Sequence, residues 1–277
     1  MTGSGSQHIE LFGIESFGVV IGLRGPSRIG RIVAGLLPSA RECRPTTEDI
    51  TYELRERTGG SGTLGYEAWR ADGTLVTRAR EPEVVAQSLA SELHFEIASR
   101  SVDYVFVHAG VVGWNDRAIV FPGRSMSGKT TLVAELLRQG ATYYSDEYAV
   151  FDREGAVHPY ARGLRMRSPD GQASISSPGD FTRQIGTSAI PLGVVAVLRF
   201  ETGSSLLAEP ISPGAAALAL VDNTVRARDA PAPSIRAASV AGTALNLAGT
   251  RGEAEEAASM LLHIAAGQRA TPRADDR

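Results

Sequence analysis

Gly123-Arg124-Ser125-Met126-Ser127-Gly128-Lys129-Thr130 is the stretch on which the reading of this chain turns. It fits the phosphate-loop pattern G-x-x-x-x-G-K-[ST]. Lys129 is also the only lysine in 277 residues, against 27 arginines. A slim, mobile ammonium reaches the β- and γ-phosphates of a nucleotide where a planar guanidinium would crowd the loop. That chemistry accounts for a single lysine in a chain that otherwise uses arginine for its cations.

The immediate surroundings supply the context such a loop needs. Ala118 to Phe121 reads as an apolar strand running into it. Lys129 to Arg138 continues as a helix, with Leu132, Val133, Leu136 and Leu137 on its buried side and Gly140 as a C-terminal cap. Strand, glycine loop and helix together aim the helix N-terminus and the backbone amides of Ser125, Met126, Ser127, Gly128 and Lys129 at one anion. Lys129 is then expected between the β- and γ-phosphates, the Thr130 hydroxyl on Mg²⁺ and Thr131 at the α-phosphate. Gly123 opens the loop, and Arg124 occupies one of its permissive positions. The bland alternative is an ordinary glycine-rich turn with a solvated lysine.

Upstream, Val102 to Val112 is an apolar strand joined to Ala118 by the turn-like Asn115-Asp116, and it contains His108. A histidine in so apolar a run is ordinarily a satisfied core residue. Downstream, Ala141 to Ser145 is a strand expected beside the phosphate-loop strand, and it ends in Asp146-Glu147. Both carboxylates would emerge at the sheet edge where ligands bind in open α/β sheets. One acid there can hold Mg²⁺, directly or through water, and the adjacent one can accept the proton of an attacking hydroxyl. Tyr148 to Phe151 and Ala156 to Tyr160 read as a hairpin. Arg162, Arg165 and Arg167 alternate on a further strand, either to grip phosphate or an acidic substrate, or to keep an exposed edge from aggregating.

Residues 168 to 190, rich in Ser, Gly and Pro, are expected to form a long mobile loop of the kind that serves as a lid. Leu192 to Phe200 is a buried strand. Pro213 to Val225 (with Ser212 as N-cap), Ser234 to Leu247 and Glu253 to Ala266 read as helices. The first 81 residues are β-rich: short strand-like runs at 9–14, 18–23, 50–57 and 66–70, then an Asp72-Gly73 hairpin turn into 74–78. Helical spacing begins at Pro82. The expected organisation is a β-rich region over 1–81, an α/β nucleotide-binding domain over 82–266 and a disordered tail over 267–277.

Bulk properties narrow the partners. A net charge of -3 offers no basic field, so nucleic acid is not an expected partner. No apolar run approaches the roughly 20 residues of a membrane helix, so no membrane is expected either. Cys43 is the single cysteine, which excludes an internal disulfide and fits a reducing cytoplasm. Met1 to Gln7 has no basic side chain and leads into no long apolar stretch, so no signal peptide is expected. His8, His94, His158 and His263 show no metal spacing, so no zinc site is expected.

His108-Ala109-Gly110-Val111-Val112, the strand into Gly123 to Thr130, and Tyr144-Ser145-Asp146-Glu147 together resemble the catalytic domain of bacterial HPr kinase/phosphorylase. The chain is more closely similar to HPr-kinase-related proteins. The resemblance covers about residues 100 to 165 and is weaker through the C-terminal helices. It implies a phosphate-loop core of the HPr kinase and phosphoenolpyruvate carboxykinase type. It also implies Asp146 as base toward the acceptor hydroxyl, Glu147 as a Mg²⁺ partner and His108 as an active-site histidine. The chain departs from the family at Thr131 (a glutamate there), at Glu147 (an aspartate there), in the position of Arg162-Gly163, and throughout its first 80 residues.

The expected activity is ATP-dependent, Mg²⁺-dependent transfer of a γ-phosphoryl group to a serine hydroxyl of a protein or peptide in the cytoplasm. The resemblance also allows a homo-oligomer. Two other readings fit the residues: a small-molecule kinase acting on free serine or a sugar, and a non-catalytic module that uses nucleotide to switch a partner interaction.

Overall fold

Short strands closed by glycine turns set up the first half of the chain. In the computed structural model, which describes residues 10–45, 48–58, 64–123, 127–167, 172–225 and 231–267, β1 (Glu10–Ser16) and β2 (Val19–Gly25) form a hairpin. Phe17 and Gly18 turn it with φ of 49° and 77°. Helix α1 (Ser27–Leu36) and β3 (Arg41–Cys43) follow, both unmarked in the sequence reading, and the chain returns as β4 (Ile50–Thr58) parallel to β2. A parallel return needs a crossover, and α1 supplies it. Strands β5 (Leu64–Arg70) and β6 (Leu75–Ala79) complete a six-stranded sheet of order β3-β1-β2-β4-β5-β6. The Asp72-Gly73 turn is there: Gly73 has φ 87°, and Asp72 Oδ1 accepts from the Thr74 amide at 2.8 Å.

Helix α2 (Pro82–Arg100) starts with proline at its first position and buries Val85, Leu89, Leu93 and Ile97, one stripe at four-residue spacing. Val84 and Phe95, apolar in sequence, point outward. The stripe packs on α1, β5 and β6, so α2 belongs to the first of two compact units, Met1–Asp103 and Tyr104–Arg277. The division therefore falls after this helix, whereas the change of period at Pro82 suggested a boundary before it. An amphipathic helix stays with the sheet face that it covers.

The second unit is mixed α/β. Its strands are β7 (Val105–Trp114) and β8 (Arg117–Pro122), joined by Asn115 and Asp116 at φ 48° and 57°, the left-handed pair of a tight hairpin turn. After α3 (Lys129–Arg138) come β9 (Thr142–Ser145), β10 (Tyr148–Phe151) and β11 (Val157–His158). Then β12 (Leu164–Arg167) pairs with β13 (Ala173–Ser176), and β14 (Leu192–Phe200) and β15 (Leu207–Pro210) follow. Helices α4 (Pro213–Asp222) and α5 (Pro231–Val240), strand β16 (Leu245–Arg251) and helix α6 (Ala254–Ala266) close the unit. Ser212 caps α4 as expected, its hydroxyl accepting from the Ala215 amide.

The main sheet runs β11-β10-β7-β8-β14-β16-β15, with β9 alongside the second half of β7. One face carries α3 and α6 over Phe121, Val194, Ala196 and Leu247; the other carries α4 and α5 over Val111, Val120 and Val195. Three expectations are corrected. Strand β9 lies beside β7, one strand removed from β8, because the β7–β8 hairpin takes that side of β8. Residues 245–247, read as the end of a helix, begin β16: Asn246 Nδ2 closes a turn onto the Ala241 and Ala244 carbonyls, and β16 pairs in parallel with β14.

Nor do the described residues of 168–190 make a free lid. They contain β13, a capped turn at Pro178–Asp180 and backbone bonds that tie Gln184 and Gly186 to Tyr143 and Ile190 to Val157. Low hydrophobicity concealed them, because main-chain pairing needs no apolar side chain. Residues 268–277 of the expected disordered tail and residues 168–171 lie outside the described residues. Among the described residues, no helix is long and apolar enough to cross a membrane.

Candidate functional site

Strand directions bring the candidate residues to one edge. Strands β14 and β16 run parallel to β8, and β9 has the same direction because both it and β8 are antiparallel to β7. The carboxyl ends of β8, β9, β14 and β16 therefore share an edge, and so does the start of β7. His108 lies in that start: its carbonyl accepts from the Gly123 amide at 3.1 Å. An open sheet presents ligand-binding groups at such an edge.

Helix α3 begins there. Gly128 takes the left-handed conformation (φ 79°) immediately before it, a geometry that glycine adopts without penalty. Lys129 turns back toward Gly123, its Nζ donating to the Gly123 carbonyl at 2.8 Å and lying 3.5 Å from Ser127 Oγ. Burial holds its pKa below the usual lysine value, while Asp146 and Glu147 raise it. Thr131 is exposed on the first turn. Arg124, Ser125 and Met126 lie outside the described residues.

Asp146 follows β9 and is 9% exposed. Thr130 and the Arg165 main chain lie against its carboxylate, and Oδ1 has no hydrogen-bond partner. Burial pushes its pKa up from 3.8 to about 6; the adjacent Thr130 hydroxyl and Lys129 pull down, and Glu147 pushes up. An orphaned carboxylate oxygen beside a threonine at a helix start suits a divalent cation. Mg²⁺ binds through one or two carboxylates and completes its shell with water and substrate phosphate. Thr130 and Asp146 are the residues that could hold it. Among the described residues, no group of three or more His, Cys, Asp or Glu could hold a metal on protein ligands alone.

Glu147 occupies the other side of the turn. Ser145 Oγ accepts from the amides of Glu147 and Tyr148, which fixes the turn after β9. Glu147 Oε1 is 3.8 Å from His108 Nδ1, and both side chains are about two-fifths exposed. Burial lowers the His108 pKa, Glu147 raises it and Lys129 lowers it. The Tyr148 ring lies 4.8 Å from that of His108 and backs it.

All of the described candidates among Gly123, Ser127, Gly128, Lys129, Thr130, Asp146, Glu147 and His108 meet at this edge. The arginine cluster contributes differently from its sequence pattern. Arg165 touches Asp146 through its backbone while its side chain is exposed, and Arg162 precedes β12 and accepts from the Tyr143 hydroxyl through its carbonyl. Two residues at the edge escaped the sequence reading. Arg251, at the end of β16, is 3% exposed and donates to the Gly128 carbonyl at 2.8 Å and to the Gly252 carbonyl at 3.0 Å. Phe200, at the end of β14, lies against it. Reading 245–247 as helix hid the strand that carries Arg251.

No family model matches the chain, and no curated protein matches it.

Proposed function

We propose that this protein is a kinase of the HPr-kinase-like phosphate-loop type that transfers the γ-phosphoryl group of ATP to a serine hydroxyl of a protein or peptide in the cytoplasm. The observation that carries the reading is the Asp146 carboxylate set beside Thr130 and Lys129, with its Oδ1 buried and unpartnered. A loop threonine joined to a strand-end aspartate is the pair that holds Mg²⁺ in phosphate-loop enzymes.

The chain's own groups divide the work. Loop amides and Lys129 hold the β- and γ-phosphates and stabilise charge on the transferring group. When bound, Mg²⁺ would supply positive charge that offsets the charge of the phosphates. Thr130 and Asp146 would hold it. Glu147, open to solvent 3.8 Å from His108, takes the proton from the serine oxygen as that oxygen attacks phosphorus and the bond to the ADP oxygen breaks. This division reverses the one implied by the resemblance, in which Asp146 was the base and Glu147 the metal partner. The buried position of Asp146 against Thr130 favours the reversal.

Mass spectrometry after incubation with Mg-ATP and pooled acceptors (an HPr-type carrier protein, serine-bearing peptides, free serine) tests the reading. Phosphate should appear on one protein or peptide acceptor and vanish with Lys129→Ala. On that acceptor, Glu147→Gln should lower kcat about 10²- to 10⁴-fold at little change in KM for ATP. Asp146→Asn should instead raise the Mg²⁺ concentration required. Near-normal transfer by Lys129→Ala would sink the mechanism.

A further inference from the structure

The acids and the phosphate loop account for one side of the ligand edge; the other side carries an aromatic platform. Phe200 is 50% exposed at the carboxyl end of β14. It pairs in register with Arg251 at the end of β16, and Arg251 Cζ lies 5.2 Å from its ring centroid. Both residues continue the series Val194, Ala196, Leu198 and Leu245, Leu247 that faces α3 and α6, so they stand beside the start of α3. A methyl group on Gly128 would collide with Arg251 Nη2 and come within 3.9 Å of Phe200 Cβ. The turn after β14 is fixed: the Glu201 amide donates to the Arg251 carbonyl at 2.9 Å, and Gly252 leaves no room for a side chain against the Ser204 carbonyl.

Resting on the kinase reading, we propose that Phe200, backed by Arg251, is the stacking platform for the base of the nucleotide donor. Asp146, Glu147 and His108 follow or belong to β9 and β7, on one flank of β8, and fix that flank as the γ-phosphate end. A triphosphate laid across the loop then directs its nucleoside to the opposite flank, where β14 and β16 end. One face of the Phe200 ring rests near a buried guanidinium that is bonded to the loop itself through the Gly128 carbonyl. The exposed part of the ring is left for a base. Stacking on a ring accepts any base, so the platform adds affinity for a nucleoside triphosphate over bare polyphosphate and little discrimination among bases.

Calorimetric titration of the full chain with Mg-ATP and with Mg-tripolyphosphate separates the two flanks. Wild-type protein should bind ATP more tightly than tripolyphosphate. Phe200→Ala should weaken ATP binding roughly 5- to 100-fold and leave tripolyphosphate unchanged, while Phe200→Trp keeps ATP affinity. Lys129→Ala should weaken both ligands. Unchanged ATP affinity in Phe200→Ala, with Lys129→Ala defective, would overturn the platform and leave the phosphate site standing. If Lys129→Ala leaves both ligands unaffected, or wild type binds neither, the phosphate site fails and the platform with it.

Discussion

Asp146 concentrates the electrostatic conflict of the site in one side chain. Burial favours its protonated form and raises its pKa to about 6, above the 3.8 of an exposed aspartate. A raised folded-state pKa means that stability is fully present below the unfolded value and is lost as pH rises through the folded one. Between about pH 4 and 6 and above, the ligand-free protein must carry an increasingly unfavourable buried charge. Asp146→Asn removes that charge. The variant should be about 1–3 kcal/mol more stable than wild type at pH 8 without Mg²⁺ and no more stable at pH 4. Denaturant midpoints at the two pH values check this, and an equal effect at both would assign the change to packing. Such a trade of stability for a poised charge is the behaviour expected of a functional carboxylate.

Among the elements, the β7–β8 hairpin and α3 follow directly from local sequence. Asn115 and Asp116 both sit at positive φ, and glycine serves the second position of such a turn better than any residue with a Cβ. Asp116→Gly should therefore raise stability by about 0.5–1 kcal/mol, visible as a higher Tm with catalytic constants unchanged. A lowered Tm would show that the carboxylate contributes more than the strain costs. Gly128 and Gly140 bracket α3 in the same way, at φ 79° and 98°. Strand β16 was illegible for the opposite reason. Its small residues, Ala248, Gly249 and Thr250, carry no period, and its identity comes from pairing with β14 on one side and β15 on the other. Helix α1 and β3 escaped because a ten-residue helix and a three-residue strand leave too short a pattern.

Across the whole molecule, the two compact units carry unequal shares of chemistry. Every described candidate residue belongs to the second, Tyr104–Arg277. Hydrogen exchange with and without Mg-ATP should show protection at the start of α3, at Ser145 to Tyr148 and at the ends of β14 and β16, with the six-stranded sheet of the first unit unchanged. Protection confined to that sheet instead would count against the proposed nucleotide site in the second unit. What the sequence determined by itself was local: a strand, a glycine loop and a helix start within one short run, and tight turns wherever glycine, asparagine or aspartate had to accept positive φ. Propensity and backbone sterics act over a few residues, and those few residues can be read directly. Tertiary structure alone decided which groups meet. Thr130 reaches Asp146, and Arg251 reaches the Gly128 carbonyl across 123 residues of chain, because sheet register and strand direction bring the carboxyl ends of β8, β9, β14 and β16 to one edge. Register is set by the packing of two whole sheet faces under four helices, a property that no short window of sequence contains.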